Sequence, residues 1–431
     1  MEDKAVRQRR AAARRYPLRS VSMLLAAPIA LLLFAAACGT DDDGATPALD
    51  PSAAATELGP IDRAVGAPVK IGIVSDGKAA AIDNSIQFDV ADATARYLNE
   101  HQGGIGGRPV ELVTCETQGD PARGTDCGNQ MIEKGVVAVA VGESAVGDAV
   151  WQPLADADIP VMFYGLTSPA ALTDPTTFVV SDPTFGIQQL PIAIAKENDL
   201  GKVTTVAIDV PALRHTLDEV APGLMRAAGL DYQVLWIPPG TADMTAQLAS
   251  VAGGEPGVVF VIGNDAFCIS AFNGLRAVGH EGEISAISQC ITDATRTAVP
   301  ANVLEGMHVA ASAPVGGDDP SNVFYNAVLK TYGNGIAPTS AIGRGMFVTF
   351  AGLAAALDGI TGDITPTTAT AVIKAMPEKE LPGAGGLTFR CNGKAYPETP
   401  AVCVRGGLAA ILDSSGQPAD FQVLGSSPIP G

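Results

Sequence analysis

The sequence has few of the side chains on which metal and nucleic-acid chemistry depends. It holds only four histidines in 431 residues, and its seven cysteines include no C-x-x-C pair, so it predicts no metal site and no cofactor. Of its 27 Lys and Arg and 46 Asp and Glu, seven and two lie in residues 1–37, so the remainder carries a net charge of −24. No basic stripe remains to contact phosphate backbones, which argues against nucleic acid as a partner.

No apolar run long enough to cross a membrane follows residue 38, but one short run precedes it. Residues 1–20 are basic, residues 21–37 are apolar and uncharged, and three alanines stand directly before Cys38. This order is typical of a secretory signal peptide. A cysteine after small residues resembles the bacterial lipobox, so we expect Cys38 to be lipidated. The alternative is a transmembrane anchor, for which about 17 apolar residues are at the short limit.

Residues 38–68 show no periodic apolar pattern and are rich in Asp, Ala, Ser and Pro, which predicts a flexible tether. A lipid and a tether would hold the following domain on the extracytoplasmic face of the cell membrane without a spanning helix. The rest of the chain, 69–431, is too long for one compact domain and fits two lobes.

Six cysteines remain once Cys38 is set aside, and they fall into three pairs along the chain. The pairs are Cys115 with Cys127, Cys268 with Cys290, and Cys391 with Cys403. Six cysteines allow fifteen connectivities, but each neighbouring pair lies in one local unit, so we expect sequential pairing. Export permits oxidation, and each bridge would contribute roughly 3 kcal/mol in the chain-entropy model.

Strands and helices alternate along the chain, which predicts an α/β fold of two doubly wound parallel-sheet lobes joined by crossing hinge strands. The clearest stretch holds the strands Val136–Val141 and Val161–Tyr164, each followed by a loop of small or hydroxyl-bearing residues. Ligands of such sheets sit beyond the carboxyl ends of the strands. The candidate ligand-binding residues of this first lobe are Ser75, Asp76, Gly142, Glu143, Ser144, Leu166, Thr167 and Ser168.

The same pattern starts again at the strand Lys202–Ile208, and loops after this and later strands carry the candidate residues of the second lobe. These are Asp209, Asn264, Asp265 and Gln289. Residues 174–185 and 309–313 are predicted to cross between the lobes, with short strands at 385–390 and 408–412. The predicted division gives lobe 1 residues 69–183 and 312–384, and lobe 2 residues 184–311 and 385–431. Such a pair would close by hinge bending around a ligand.

Several motifs together carry a family resemblance. They are Leu98-Asn99-Glu100 with GGIGGRPV (103–110), Asp120-Pro121, VAVAVGESA (137–145), PVMFYGLTSPAALT (160–173) and LEGMHVA (304–310). With these motifs the chain resembles the leucine/isoleucine/valine-binding family of ABC-transporter substrate-binding proteins, which have the type I periplasmic-binding-protein fold. The resemblance covers about residues 69–425, which is nearly all of the chain after the tether.

The resemblance implies where an amino acid would be held. In that family, backbone groups and hydroxyls of two first-lobe loops hold the α-carboxylate and α-amino group. By position those loops are 142–145 and 166–168 here. Their hydroxyls would come from Ser144, Thr167 and Ser168.

The second lobe departs from the family pattern. Gln289 and Cys290 stand near the position of the acidic residue that pairs with the ligand's ammonium group. An ammonium group buried without a partner would cost several kcal/mol. Either Asp265, Asp209 or Asp76 takes that role, or the ligand is a small amide, a urea-like compound or a carboxylic acid.

The resemblance implies a non-enzymatic lipoprotein that delivers a small polar solute to ABC permease subunits, and we expect a monomer. One alternative is a ligand-sensing receptor subunit of the same fold. Another is a secreted serine hydrolase using Ser144, with Asp265 and His280 or His308 completing a triad. The nucleophile elbow of such enzymes needs G-x-S-x-G, whereas the second glycine here stands one position late.

Overall fold

The computed structural model describes residues 57–79, 83–182, 184–252, 256–311, 314, 319–336 and 338–431. The predicted signal peptide, the lipidation site Cys38 and most of the predicted tether lie outside the described residues. In the part of the chain that is described, no helix combines the length and apolar character needed to span a bilayer.

Strands and helices alternate through most of the chain. The strands are β1 (Val69–Ser75), β2 (Val110–Glu116), β3 (Ala138–Val141), β4 (Val161–Phe163), β5 (Thr177–Val179), β6 (Lys202–Ile208), β7 (Asp231–Ile237), β8 (Val258–Ile262), β9 (Ile284–Ala286), β10 (His308–Ala311), β11 (Lys379–Glu380), β12 (Thr388–Phe389), β13 (Gly407–Leu412) and β14 (Pro418–Leu424). The helices are α1 (Ile86–His101), α2 (Pro121–Lys134), α3 (Gly147–Asp156), α4 (Pro169–Thr173), α5 (Leu190–Glu197), α6 (Pro211–Arg214), α7 (Ala221–Ala227), α8 (Thr245–Ala252), α9 (Asp265–Ala277), α10 (Asp293–Ala298), α11 (Ala301–Leu304), α12 (Pro320–Tyr332), α13 (Ala341–Ala356) and α14 (Pro366–Ala375).

The first sheet consists of five parallel strands in the order β2-β1-β3-β4-β5. Its central strands are buried along their whole length, as expected of a parallel sheet covered on both faces. Because Val74 pairs with Val141, Val141 with Phe163 and Phe163 with Val179, the strands end together at one edge. The strand β5 was missed by the sequence analysis, which treated residues 174–185 only as a crossing.

The second sheet has seven strands in the order β14-β13-β10-β9-β8-β6-β7. Its strands β6 to β10 are parallel, whereas β13 and β14 run antiparallel at one side. Two expectations need correction here. Residues 309–313 are not only a crossing, because β10 pairs with strands on both sides. A further strand, β14, follows the strand that the sequence predicted as the terminal one.

Among the described elements, membership changes from one core to the other at three points along the chain: between β5 and β6, between β10 and α12, and between β12 and β13. The helices α12, α13 and α14 pack in the core of the first sheet. Phe389 and Val402 belong to that core too, and Val402 bridges Val179 of β5. The lobe boundaries stay a prediction, but these contacts favour a final passage to the second lobe near residue 405 instead of residue 385.

The last part of the predicted tether is not free chain. Leu58 is only 3% exposed and lies in the core of the first lobe. The Asp62 N–H donates to the carbonyl of Glu100, and the Val65 N–H donates to the carbonyl of Gly107. Any flexible tether therefore ends before residue 58.

The three predicted disulfides are all formed. Cys115 of β2 is bonded to Cys127 of α2, Cys268 of α9 to Cys290, and Cys391 to Cys403. The last bridge lies beside an antiparallel contact between Phe389 and Val404. The sequential pairing was therefore correct, and each bridge ties together elements that are close along the chain.

Candidate functional site

A cavity of about 390 Å³ lies between the two lobes, where the chain passes from one to the other. From the first sheet it is lined by Glu143, Tyr164, Val180, Ser181 and Asp182. From the second lobe it is lined by Ile262, Ile287, Ser288, Gln289 and Ala310, among others. These residues lie close together because two sets of strand ends border the cavity. They are the carboxyl ends of β3, β4 and β5 in one sheet and of β8, β9 and β10 in the other.

Glu143 is the predicted residue that enters this cavity from the first lobe. The side-chain amides of Gln87 and Asn84 donate to its carbonyl oxygen at 3.2 and 3.4 Å, which fixes the loop. The preceding Gly142 allows this approach, because a Cβ there would lie 2.9 Å from the Gln87 amide. Among the described residues nothing donates a hydrogen bond to the Glu143 carboxylate, and burial raises the pKa of this carboxyl. A carboxylate in this situation is ready to pair with a cation.

Asp182 is a second carboxylate on the cavity wall, and it is buried. One of its oxygens accepts from the backbone N–H of Thr184 at 2.8 Å and from the Thr184 hydroxyl at 2.7 Å. The other accepts from the Tyr396 hydroxyl at 2.5 Å. Burial, together with the neighbouring Asp182 carboxylate, raises the pKa of Tyr396, so this phenol keeps its proton.

Asp76 occupies a different position from the one its sequence context suggested. It is 1% exposed and lies beneath the first-lobe loops. Its carboxylate accepts from the hydroxyls of Thr117 and Ser144 and from the backbone N–H of Ala145, all at 2.7 Å. This carboxylate ties the ends of three strands together, and the neighbouring Ser75 is fully buried beside it.

The remaining first-lobe candidates do not line the cavity between the lobes. Ser144, Leu166 and Thr167 line a separate cavity of about 500 Å³ on the first lobe. Ser168 directly precedes α4, and its carbonyl accepts from the Leu172 N–H.

In the second lobe, only Gln289 of the four predicted residues lines the cavity. Asp209 forms an ion pair with Arg214 at 2.5 Å. Asn264 caps α9 by accepting from the Phe267 N–H, and Asp265 is exposed in the first helical turn. Whether any of the predicted residues contacts a ligand stays a prediction.

Sequence reasoning missed several residues of the cavity wall, above all Ser181, Asp182 and Phe185. A signal was present, because Ser181 and Asp182 come soon after the short run Thr177–Val179, just as Ser75 and Asp76 stand at the end of β1. It was overlooked because β5 was not recognised as a strand.

The hydrolase alternative finds no support in the geometry. The Ser144 hydroxyl donates to Asp76 and accepts from the Val146 N–H. Within the described chain it has no histidine as a hydrogen-bond partner. His308 lies in β10 beside Glu283 of the second lobe, at 3.3 Å.

The protein has two α/β lobes and a cavity beside the connections between them. These features define a two-lobed binding protein. A family model described as periplasmic binding protein matches residues 68–407, and the chain belongs to this family. The family is non-enzymatic; its members bind small solutes and work with ABC permeases. The predicted family and fold class are therefore confirmed.

Solved structures of low sequence identity share the fold. The ABC transporter substrate-binding protein from Sphaerobacter thermophilus is 19% identical, with a TM-score of 0.62, over 84% of this chain and 99% of that one. The branched-chain amino acid transporter substrate-binding protein LivJ from Streptococcus pneumoniae, solved with isoleucine, is 14% identical, with a TM-score of 0.58, over 83% and 99%. An extracellular ligand-binding receptor from Verminephrobacter eiseniae is 16% identical, with a TM-score of 0.61, over 82% and 100%. No curated protein sequence matches the chain.

The Cys268–Cys290 disulfide supports the second-lobe wall of the cavity, because Cys290 directly follows Ser288 and Gln289. We expect the double variant Cys268→Ala/Cys290→Ala to lose about 3 kcal/mol of unfolding free energy and also to bind its solute more weakly. The matched control, Cys115→Ala/Cys127→Ala, removes a bridge from the first lobe away from the cavity. It should lose similar stability without losing affinity. Denaturant titration and calorimetry would measure both quantities, and equal affinity losses in the two variants would contradict this role.

Proposed function

We propose that this chain is a lipoprotein that captures a small polar solute between its lobes and delivers it to an ABC permease. The observation that carries the proposal is the cavity at the passages between the lobes, with polar groups from both sides. Closure around such a cavity is favoured when the ligand makes contacts that exist only after both lobes meet. Nothing in this arrangement calls for enzymatic activity.

The proposed location rests on the amino-terminal sequence. A basic segment, a short apolar segment and Cys38 after three alanines support export and lipid attachment. The acidic composition of the remaining chain favours solubility of this domain. Lipid on Cys38 would keep this domain, which we expect to act as a monomer, close to its permease.

The fold relatives support amino acids and related compounds as the first solutes to test, since LivJ was solved with isoleucine. A thermal-shift panel on residues 57–431, with the disulfides intact, would include amino acids, amides, urea analogues, carboxylates and amines. A solute that binds only the folded state raises the melting temperature, by an amount that increases with concentration. A saturable shift with at least one class is expected. No shift with any class, confirmed by calorimetry, would contradict solute binding.

A further inference from the structure

We propose that the cavity between the lobes binds a small organic monocation with a compact apolar body, such as a primary amine, and that Glu143 pairs with its charge. This inference deepens the proposed function and rests on it. It concerns which chemical class the cavity prefers, and which lobe supplies the partner of the charged group.

The charges on the cavity wall have one sign. Glu143 and Asp182 both line it, and none of its described lining residues is Lys, Arg or His. A ligand with a net positive charge therefore gains from both carboxylates. A carboxylate ligand would meet two like charges with no basic side chain to compensate for them.

Of the two carboxylates, Glu143 is the one available to a ligand. Asp182 already accepts three hydrogen bonds from Thr184 and Tyr396. Glu143 accepts none among the described residues, while its backbone is held in place by Gln87 and Asn84. Burial raises the pKa of the Glu143 carboxyl, and a bound cation would reverse this by stabilising the ionised form. Residues of the first lobe alone therefore hold the Glu143 loop in position.

The rest of the wall fits an apolar body. It is formed in large part by aliphatic and aromatic side chains from both lobes. These include Val180, Val348 and Leu381 on one side and Ile262, Ile287 and Leu408 on the other. Burying a compact apolar group of the ligand against them favours binding, because apolar surface of both is removed from water.

The hydroxyls that the family resemblance assigned to a ligand carboxylate do not line this cavity. Ser144 donates its proton to Asp76, and Thr167 lines the separate cavity of the first lobe. A carboxylate in the cavity between the lobes would thus lack these donors. An amine in the same cavity would still have the Glu143 carboxylate as the partner of its charge.

Three ligands that share one apolar body test the preference. They are 3-methylbutylamine, leucine and 4-methylpentanoate, measured by calorimetry with the disulfide-intact protein at neutral pH. We expect the amine to bind most tightly, and its affinity to fall at least about thirtyfold in Glu143→Gln. The matched control is Glu133→Gln, which removes an exposed carboxylate on α2 that does not line the cavity and should leave the affinity unchanged.

The stability of Glu143→Gln separates loss of binding from loss of folding. Because the pKa of the Glu143 carboxyl is raised in the folded state, ionising it costs stability as pH rises above the ordinary glutamate value. The glutamine has no such cost. The unliganded variant should therefore melt at a higher temperature than the wild type at neutral pH, and no higher near pH 4.

The measurements distinguish three failures: of the cation preference, of the role of Glu143, and of solute binding itself. Tighter binding of leucine or 4-methylpentanoate than of the amine would overturn the cation preference and leave solute binding standing. Equal amine affinity in Glu143→Gln and the wild type would overturn the role of Glu143. If no compound of this series or of the wider panel binds, the proposed function itself fails and this inference fails with it.

Discussion

Replacing Asp76 by alanine is expected to lower the free energy of unfolding by about 4 kcal/mol, since three hydrogen bonds to a buried carboxylate are lost. The donors are the hydroxyls of Thr117 and Ser144 and the N–H of Ala145, each at 2.7 Å. They would be left without an acceptor under the first-lobe loops. Asp76→Asn should cost somewhat less, because one amide oxygen can still accept. Guanidinium titration followed by circular dichroism would measure the change.

The control for Asp76 is Asp92→Ala on the surface of α1. Asp92 pairs with Arg96 one helical turn away, and both side chains are about half exposed. Its loss should cost only about 0.4 kcal/mol. Asp76→Ala could instead remain as stable as Asp92→Ala and no longer bind the solute. In that case Asp76 would be a ligand contact, as predicted from the sequence, and its hydrogen bonds to the loops would not stabilise the fold.

Replacing Arg344 by alanine should be similarly destabilising, by about 4 kcal/mol, because it leaves a void and unpaired oxygens in a core. Arg344 of α13 is 1% exposed, and its guanidinium lies 3.8 Å from the ring centroid of Tyr325. It donates to the Asn322 side-chain oxygen at 2.6 Å and to the carbonyls of Ser321 and Pro314 at 3.3 Å. Burial lowers its pKa to about 10, so it is still charged at neutral pH.

Arg344→Lys tests whether charge alone explains the effect. A lysine ammonium lacks the planar fork that reaches these oxygens and stacks on Tyr325 at the same time, so a loss of about 2 kcal/mol is expected. Arg96→Ala is the exposed control and should cost about 0.4 kcal/mol. Full stability in Arg344→Lys would mean that the geometry of the guanidinium contributes nothing. The same titration as for Asp76 measures all three variants.

Signals that act over a few residues were read correctly from the sequence. Asp120 caps α2 by accepting from the N–H groups of Ala122 and Arg123, and Pro121 occupies the first turn, positions that these two residue types favour at a helix start. The three disulfides join cysteines 12 to 22 residues apart. The predicted strand Lys202–Ile208 is β6, and all of its residues after the first are buried. In each case the physical cause lies within one short segment.

Short strands were harder to find. The strand β5 has three residues, and β14 is an antiparallel strand with only its last residue fully buried. Neither produces a long apolar run: β5 pairs with β4, which also has only three residues, and most residues of β14 are partly exposed. Missing β5 also hid Ser181 and Asp182, which follow it at the edge of the sheet.

The sequence by itself determined the α/β pattern, the pairing of the cysteines and the presence of polar residues after the strands. Only the tertiary structure decided which of those residues face one another. Of the twelve predicted ligand-binding residues, Glu143 and Gln289 line the cavity between the lobes, while Asp76 and Asp209 are engaged by protein donors. The reason is physical: a loop's place after a strand follows from local pattern, but the partner of its side chain depends on strand order and on how the chain passes between the lobes.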